Sequence, residues 1–358
     1  MTGSAKLKPA WSVSSFSVRH PSLNDHLVPK PKTRKMCICL FSTRHPDYPL
    51  ILLSNRDEFL SRPTAPADWW QTPNGHVLGG RDLQREEQGT WLGVTKDGRI
   101  AVLTNFREEG QEIARDKSRG GIPKAYLTPP PEQAESDEDF AQRMINNVGI
   151  HDVGGFSLLF GRMRPSNEGS NSGLSIISNR TSSAAGLVRV AEKTGETHGL
   201  SNSHFGDLTW PKVVHGEHLL SQAIKASVFR QDPQEKLIEG LFDVLSVDTM
   251  PKRRAGEDWN TYARQLRNSI FIPPVGGEPI ATKPSDEIAA ADGIGTPDAA
   301  AIKPDEPLYG TQKQTVVLVD RKGTVTFTER TLFDRVGNAA AGKREERQYR
   351  FSIEGWQG

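Results

Sequence analysis

Leu52-Leu-Ser-Asn55-Arg56-Asp57-Glu58-Phe59-Leu-Ser-Arg62-Pro63 is an apolar strand that runs without a break into four consecutive polar groups. Side chains of a strand alternate between its two faces, so a continued strand sends at least one of the four toward the apolar side. An unpaired charge there is costly. Two readings follow. In one the strand ends, Asn55 and Asp57 form a turn, and Arg56 pairs with Glu58 in solvent. In the other the four groups form the polar wall of one site.

Upstream, Met36–Phe41 and Leu50–Ser54 are short apolar runs separated by Arg44-His-Pro-Asp-Tyr48, which predicts a hairpin. Downstream, Thr90–Thr95 and Arg99–Asn105 flank Lys96-Asp97-Gly98, and Gly accepts the positive φ that a tight turn demands. Further strands are expected at 156–161, 174–179, 187–191, 315–319, 324–328 and 348–353, with 315–319 and 324–328 bracketing Asp320-Arg-Lys-Gly323 as another hairpin. Helices are expected at 138–148, 210–226 and 234–245. Pro211 suits a first helical turn, and Leu237, Ile238, Leu241, Phe242 and Leu245 make an amphipathic stripe. Strands, then helices, then strands again predict one mixed α+β sandwich over 36–358. Residues 272–308 hold seven prolines and no aromatic side chain, and are read as a flexible insertion.

The first 35 residues carry seven lysines and arginines against Asp25 alone, and have no apolar core of a secretory signal. A mitochondrial presequence, a disordered extension, and translation starting at Met36 all fit. Net charge is +1, which gives no global field for nucleic acid or an anionic membrane. No run approaches the ~20 apolar residues that span a bilayer. The only cysteines are Cys37 and Cys39, and nine scattered histidines form no metal motif, so neither a disulfide framework nor a structural metal is expected.

Cys39 reads as a core hydrophobe. Cys37 has the same bland reading and a sharper one. Were Met36 removed, cysteine would be residue one, carrying a thiol nucleophile and an α-amine base of pKa ~7.7–8. Arg56 would lower the thiol pKa and Asp57 would hold the amine. Asn105 and Asn202 close strand-like runs, where their amides would serve either as turn caps or as oxyanion donors. His215 and His218 share one helical face and are read as solvated.

Several segments together resemble the NRDE family. They are Met36-Cys37, Asn55-Arg56-Asp57-Glu58 with Phe59 and Arg62-Pro63, Gly89-Thr90-Trp91-Leu92-Gly93, and Leu103-Thr104-Asn105. Gly199-Leu-Ser-Asn202-Ser with Trp210-Pro211-Lys212, Tyr309-Gly310-Thr311, and Val325-Thr-Phe-Thr-Glu329-Arg330 complete the set. The resemblance implies a four-layer αββα sandwich like that of N-terminal-nucleophile hydrolases. It implies a site built from Cys37, Arg56, Asp57 and Asn202, with Asn105 as a further donor and Asn55, Glu58, Arg62 and Trp91 as signature or ligand-binding positions. This chain departs from the family in having Gln312 and Lys313 where relatives often carry Arg after Tyr-Gly-Thr, so a cation there falls to Lys313.

The resemblance also implies work in secretory-pathway and Golgi organisation, with mitochondrial, haem-trafficking and lipid associations. The expectation is a cytoplasmic factor with Golgi or mitochondrial association that carries a hydrophobic small molecule, haem foremost or else a lipid or acyl compound. The alternatives are an N-terminal-cysteine amidohydrolase or acyltransferase using Cys37, and a Golgi-associated scaffold docking through 272–308.

Overall fold

The computed structural model describes residues 36–106, 118–129, 135–165, 173–254, 257–276, 308–334, 337 and 345–356. Thirteen strands occupy them. They are β1 (Ile38–Ser42), β2 (Leu50–Phe59), β3 (Thr64–Trp69), β4 (Val77–Asp82), β5 (Leu92–Thr95), β6 (Arg99–Asn105) and β7 (Phe156–Arg162), followed by β8 (Leu174–Ser178), β9 (Val188–Val190), β10 (Thr197–Leu200), β11 (Tyr309–Val319), β12 (Thr324–Thr331) and β13 (Glu345–Ser352). The α-helices are α1 (Gly121–Leu127), α2 (Asp137–Arg143), α3 (Pro211–Arg230), α4 (Gln234–Leu245) and α5 (Trp259–Ala263).

The strands form two antiparallel sheets, one ordered β10-β1-β2-β11-β12-β13 and the other β3-β4-β5-β6-β7-β8-β9. The alternation along β2 shows how they stack. Leu50 and Leu52 face the second sheet, in a cluster with Leu78, Val94, Val102 and Leu159. Ile51 and Leu53 face the other way, against Leu220, Ile224, Leu241 and Phe242 of α3 and α4. On the far side of the second sheet, Leu103, Leu158 and Phe160 pack against Tyr126 of α1 and Phe140 of α2. The result is an α+β fold in four layers, αββα. Strands covered on both faces need apolar side chains at every position, which is why 38–41 and 316–319 read as unbroken apolar runs.

The expected hairpins form: β1 with β2, β5 with β6, and β11 with β12, the last closing at Val319↔Val325. The helix expected at 234–245 lies at those residues, and α3 runs four residues beyond its expected end, to a left-handed Gln231. The helix expected over 138–148 is instead α2 followed by a π turn at Met144–Val148 that stops at left-handed Gly149.

The turn reading of Asn55–Glu58 is overturned. β2 continues through Phe59, paired with β11 by Gln314↔Asn55, Thr311↔Asp57 and Gly310↔Glu58, and all four polar side chains are buried. Sequence patterning missed β3 and β4 because Pro66 and Gly79-Gly80 sit inside them, and it also missed α1 and α5; the strand-like run before Asn202 is β10. Gly79 is required by space: a Cβ there would come within 2.5 Å of the Leu92 carbonyl oxygen.

Residues 1–35 and 277–307, on which the targeting and insertion readings fall, lie outside the described residues. The start of that insertion is held in place, with Ile272 buried and Val275 exchanging both main-chain hydrogen bonds with Tyr309 at 2.8 Å.

Phe160 joins the second sheet to its helices, with ring centroids 5.0 Å from Tyr126 and 5.2 Å from Phe140. Phe160→Ala should lower the unfolding free energy by about 3–5 kcal/mol in a urea titration, since it removes a fully buried aromatic and leaves a cavity.

Candidate active site around Cys37

The continuation of β2 splits the tetrad between two faces. Asn55 and Asp57 point toward the helices; Arg56 and Glu58 point between the sheets. Asn55 Nδ2 donates to the main-chain oxygens of Leu245 (2.8 Å) and Ile270 (2.9 Å), tying β2 to the end of α4. The Arg56 guanidinium lies over the Trp91 ring at 5.0 Å, and its Nη2 donates to Gln312 Oε1 at 2.8 Å and Thr64 Oγ1 at 3.2 Å. Glu58 meets Arg62 at 3.7 Å, and Arg62 is held by two hydrogen bonds to Asp82.

Cys37 lies one step before β1, whose first pair is Ile38↔Asn55, so it comes alongside Arg56. Its thiol donates to the Asp57 main-chain oxygen at 3.7 Å, and the hydroxyl of Ser201 donates to the Cys37 carbonyl at 2.7 Å. The residue before it is gripped as well. Met36 N–H donates to Tyr309 Oη at 2.7 Å, and the Met36 carbonyl accepts from Lys212 Nζ. The Tyr309 hydroxyl in turn donates to the Asp57 main-chain oxygen at 3.2 Å. Lys212 Nζ is 3.9 Å from Asp57 Oδ2, while Thr311 Oγ1 donates to Asp57 Oδ1 at 2.7 Å. Asn202 Nδ2 donates to the Asn105 main-chain oxygen at 2.5 Å.

Burial, with the Asp57 carboxylate beside it, pushes the Cys37 thiol up to about 12. Burial pushes the Asp57 carboxyl up to about 6, against the pull of Lys212 and Thr311. Lys212 is drawn below the ordinary lysine range by burial, with Asp57 opposing. Among the described residues, six buried side-chain atoms have no hydrogen bond, and Asn55 Oδ1, Arg56 Nε, Asp57 Oδ2 and Asn105 Oδ1 are four of them. Buried polar atoms are normally satisfied, so such a concentration marks a place shaped by something other than stability.

Between the sheets, Arg56 lines a cavity of about 20 Å³ together with Trp91, Lys313, Phe327 and Glu329. The β2–β11 pairing slips between Thr311 and Lys313. This bulge turns both Gln312 and Lys313 toward Arg56, and Lys313 Nζ comes to 4.0 Å from Glu329. A cation therefore does stand near Arg56, one residue later than the family pattern places it.

Cys37, Arg56, Asp57, Asn105 and Asn202 are thus brought together, with Glu58, Arg62 and Trp91 at their edge. Asn55 is turned away and serves the packing of α4. His218 on α3 pairs with Gln222 at 2.8 Å, and the described residues contain no group of side chains arranged for a metal. Sequence reasoning gave no role to Ser201, Lys212, Tyr309 or Thr311. Each lies in a segment quoted for the resemblance, and the signal that could have found Lys212 was a lysine one step inside a helix otherwise starting Trp-Pro.

The profile of the family described as Transport and Golgi organisation 2 matches residues 36–334. The chain belongs to that family. The human transport and Golgi organization protein 2 homolog is 30% identical over 308 residues, covering 86% of this chain and 94% of the relative. An uncharacterised protein of Saccharomyces cerevisiae is 27% identical over 338 residues, covering 89% and 100%. The resemblance to the NRDE family is borne out. Among solved structures, a mutant conjugated bile acid hydrolase of Clostridium perfringens aligns over 88% of this chain and 97% of its own, at 8% identity and a TM-score of 0.35. Within the family fold, the matched segment begins at the residue that fills the Tyr309–Lys212 grip.

The folded protein binds the Asp57 proton more tightly than the unfolded chain, whose carboxyl titrates near 3.8. Its contribution to stability is therefore fully present below pH 3.8 and is lost as the pH rises through about 6, a change of ~3 kcal/mol. Between pH 4 and 6 the unfolding free energy of the wild type should fall relative to that of Asp57→Asn. A pH-independent difference between the two would show that Asp57 titrates normally.

Proposed function

We propose that this member of the transport and Golgi organisation 2 family handles acyl compounds through an N-terminal-cysteine site, which becomes competent when Cys37 is residue one. The observation that carries the reading is the Met36–Cys37 peptide, held by Tyr309 and Lys212 beside the unsatisfied Asp57 oxygen. With that peptide intact, Cys37 has no amine and its thiol is pushed up to about 12, so it stays protonated at neutral pH. With the α-amine freed, a base of pKa ~7.7–8 stands one residue's width from the thiol, and Asp57 is placed to hold it.

The reaction is acyl transfer. The amine takes the thiol proton, sulfur adds to a carbonyl carbon, and the C–S bond forms as the bond to the leaving amine or alkoxide breaks. That leaving group takes the proton back. Water then cleaves the thioester, releasing the acid and restoring the thiol. Arg56 favours the thiolate, and the amide of Asn105 or Asn202, together with the Lys212 ammonium that meets the Met36 carbonyl, donates to the developing oxyanion. The family description supports placing this activity in transport and Golgi organisation.

Haem is the second reading: Arg56 and Lys313 line one small cavity between the sheets, where a propionate at its mouth would compete with Glu329 for the two cations. The scaffold reading rests on a segment mostly outside the described residues. The described helices include none long and apolar enough to cross a membrane, so any organelle association proposed here is peripheral.

Two forms of the protein test the main reading: the intact chain, and a chain beginning at Cys37, with the first residue verified by mass. The clusters that hold the described fold draw on residues 36–356, and of these the shorter form loses Met36 alone, so the three clusters that join the layers stay complete. Given an excess of a p-nitrophenyl acyl ester at pH 7.5, the Cys37-first chain should release a burst of p-nitrophenol and gain one acyl group at Cys37. The intact chain should react at least a hundredfold more slowly. Equal reaction of both forms, or an unchanged rate in Cys37→Ala, would sink the proposal. Asn202→Ala should cost ~10²-fold in turnover. Saturable haem binding by the intact chain, without acyl transfer by the shorter one, would favour the second reading.

A further inference from the structure

Met36 sits in a socket of its own. Its side chain is 1% exposed and packs among Ala263, Leu266, Ile272 and Tyr309, a cluster distinct from the three that join the layers. Its N–H is accepted by Tyr309 Oη at 2.7 Å, and its carbonyl is met by the ammonium of Lys212, a side chain with no solvent exposure. A main-chain carbonyl needs no such partner, because an ordinary peptide N–H satisfies it without burying a charge. The set of groups matches the needs of a bound acyl group: a cationic donor on the carbonyl oxygen, an acceptor for the neighbouring N–H, and an apolar socket for the side chain. All of it ends one bond from the Cys37 nitrogen.

We infer that the socket filled by Met36 is the acyl subsite of the Cys37 site, and that it takes an N-acylated aminoacyl group with an unbranched apolar side chain of methionine's length. The inference rests on the reading of Cys37 as an N-terminal nucleophile, because only loss of residue 36 empties the socket. In the intact chain Met36 is a tethered stand-in for the substrate. Its carbonyl carbon is bonded to the Cys37 nitrogen where a substrate's would be bonded to its leaving amine. Interiors are close-packed, so a socket formed around methionine penalises a branch at Cβ by overpacking and a carboxylate by desolvation.

The test has a binding arm and a turnover arm. N-acetyl-methioninamide and N-acetyl-norleucinamide, titrated calorimetrically into the Cys37-first chain, should bind at least tenfold more tightly than the valine and aspartate amides. The intact chain should bind none of the four through this socket. Tyr309→Phe, which keeps the ring and removes the acceptor, should weaken the methionine amide about threefold to tenfold with the melting temperature checked in parallel. Equal binding of all four amides, or equal binding by the intact chain, overturns the inference. In the turnover arm, N-acetyl-methionine p-nitroanilide should be cleaved at least tenfold faster in kcat/KM than the valine analogue. Acyl-ester turnover with no side-chain preference overturns the socket and leaves the nucleophile reading standing. Selective binding without cleavage does the reverse.

Discussion

The interaction on which the site depends is the burial of ionisable groups on both faces of one central strand. β2 lies between β1 and β11 and carries Arg56 toward the second sheet and Asp57 toward the helices, each desolvated. Neither charge is tolerable alone in that environment. Arg56 is matched by Trp91, Gln312 and the nearby Glu329; Asp57 is matched by Lys212 and Thr311. These partners come from β11, from β12, from the loop before β5, and from the first turn of α3. The tetrad therefore fixes how distant parts of the chain meet: Thr311 and Gln312 reach one half each, and the Met36–Cys37 segment lies alongside at the start of β1.

Much of this was legible in the sequence, and the exceptions have physical reasons. Hairpins around Asp97-Gly98 and Arg321-Lys322-Gly323 were readable because turn chemistry is local. Helix α4 was readable because one face is buried and the other wet. By contrast, the end of β2 was misplaced, because a run of Asn, Arg, Asp and Glu looks like a strand's exit into water. Its burial depends on Lys212 and Gln312, more than 150 residues away, and no local pattern records that. β3 and β4 were invisible for a different reason: Gly79 and Gly80 allow close approach of neighbouring backbones and Pro66 falls where the β3–β4 pairing slips between Ala65 and Asp68, both of which propensity counts as breaking a strand.

The site divides in the same way. Cys37, Arg56, Asp57, Asn105 and Asn202 could be named because each is chemically conspicuous where it stands. Tyr309, Thr311 and Ser201 were passed over because hydroxyls at strand ends are commonplace, and only the fold shows that Tyr309 meets the Met36 N–H, Ser201 the Cys37 carbonyl and Thr311 the Asp57 carboxylate. Asn55 was the opposite case. It belongs to the same tetrad by sequence, yet its amide spends both of its donors on the helical layer.

The slip in pairing between Thr311 and Lys313 has a wider meaning for how such a site can change. In a regular strand, moving a cation by one position sends it to the opposite face. At a bulge two successive residues share an outlook, so the positive charge facing Arg56 can pass from position 312 to 313 while the apolar run from Val316 to Val319 keeps its register. The bulge works as a small buffer between core and chemistry: residues on its polar side are free to trade places, and those on its apolar side never register the exchange.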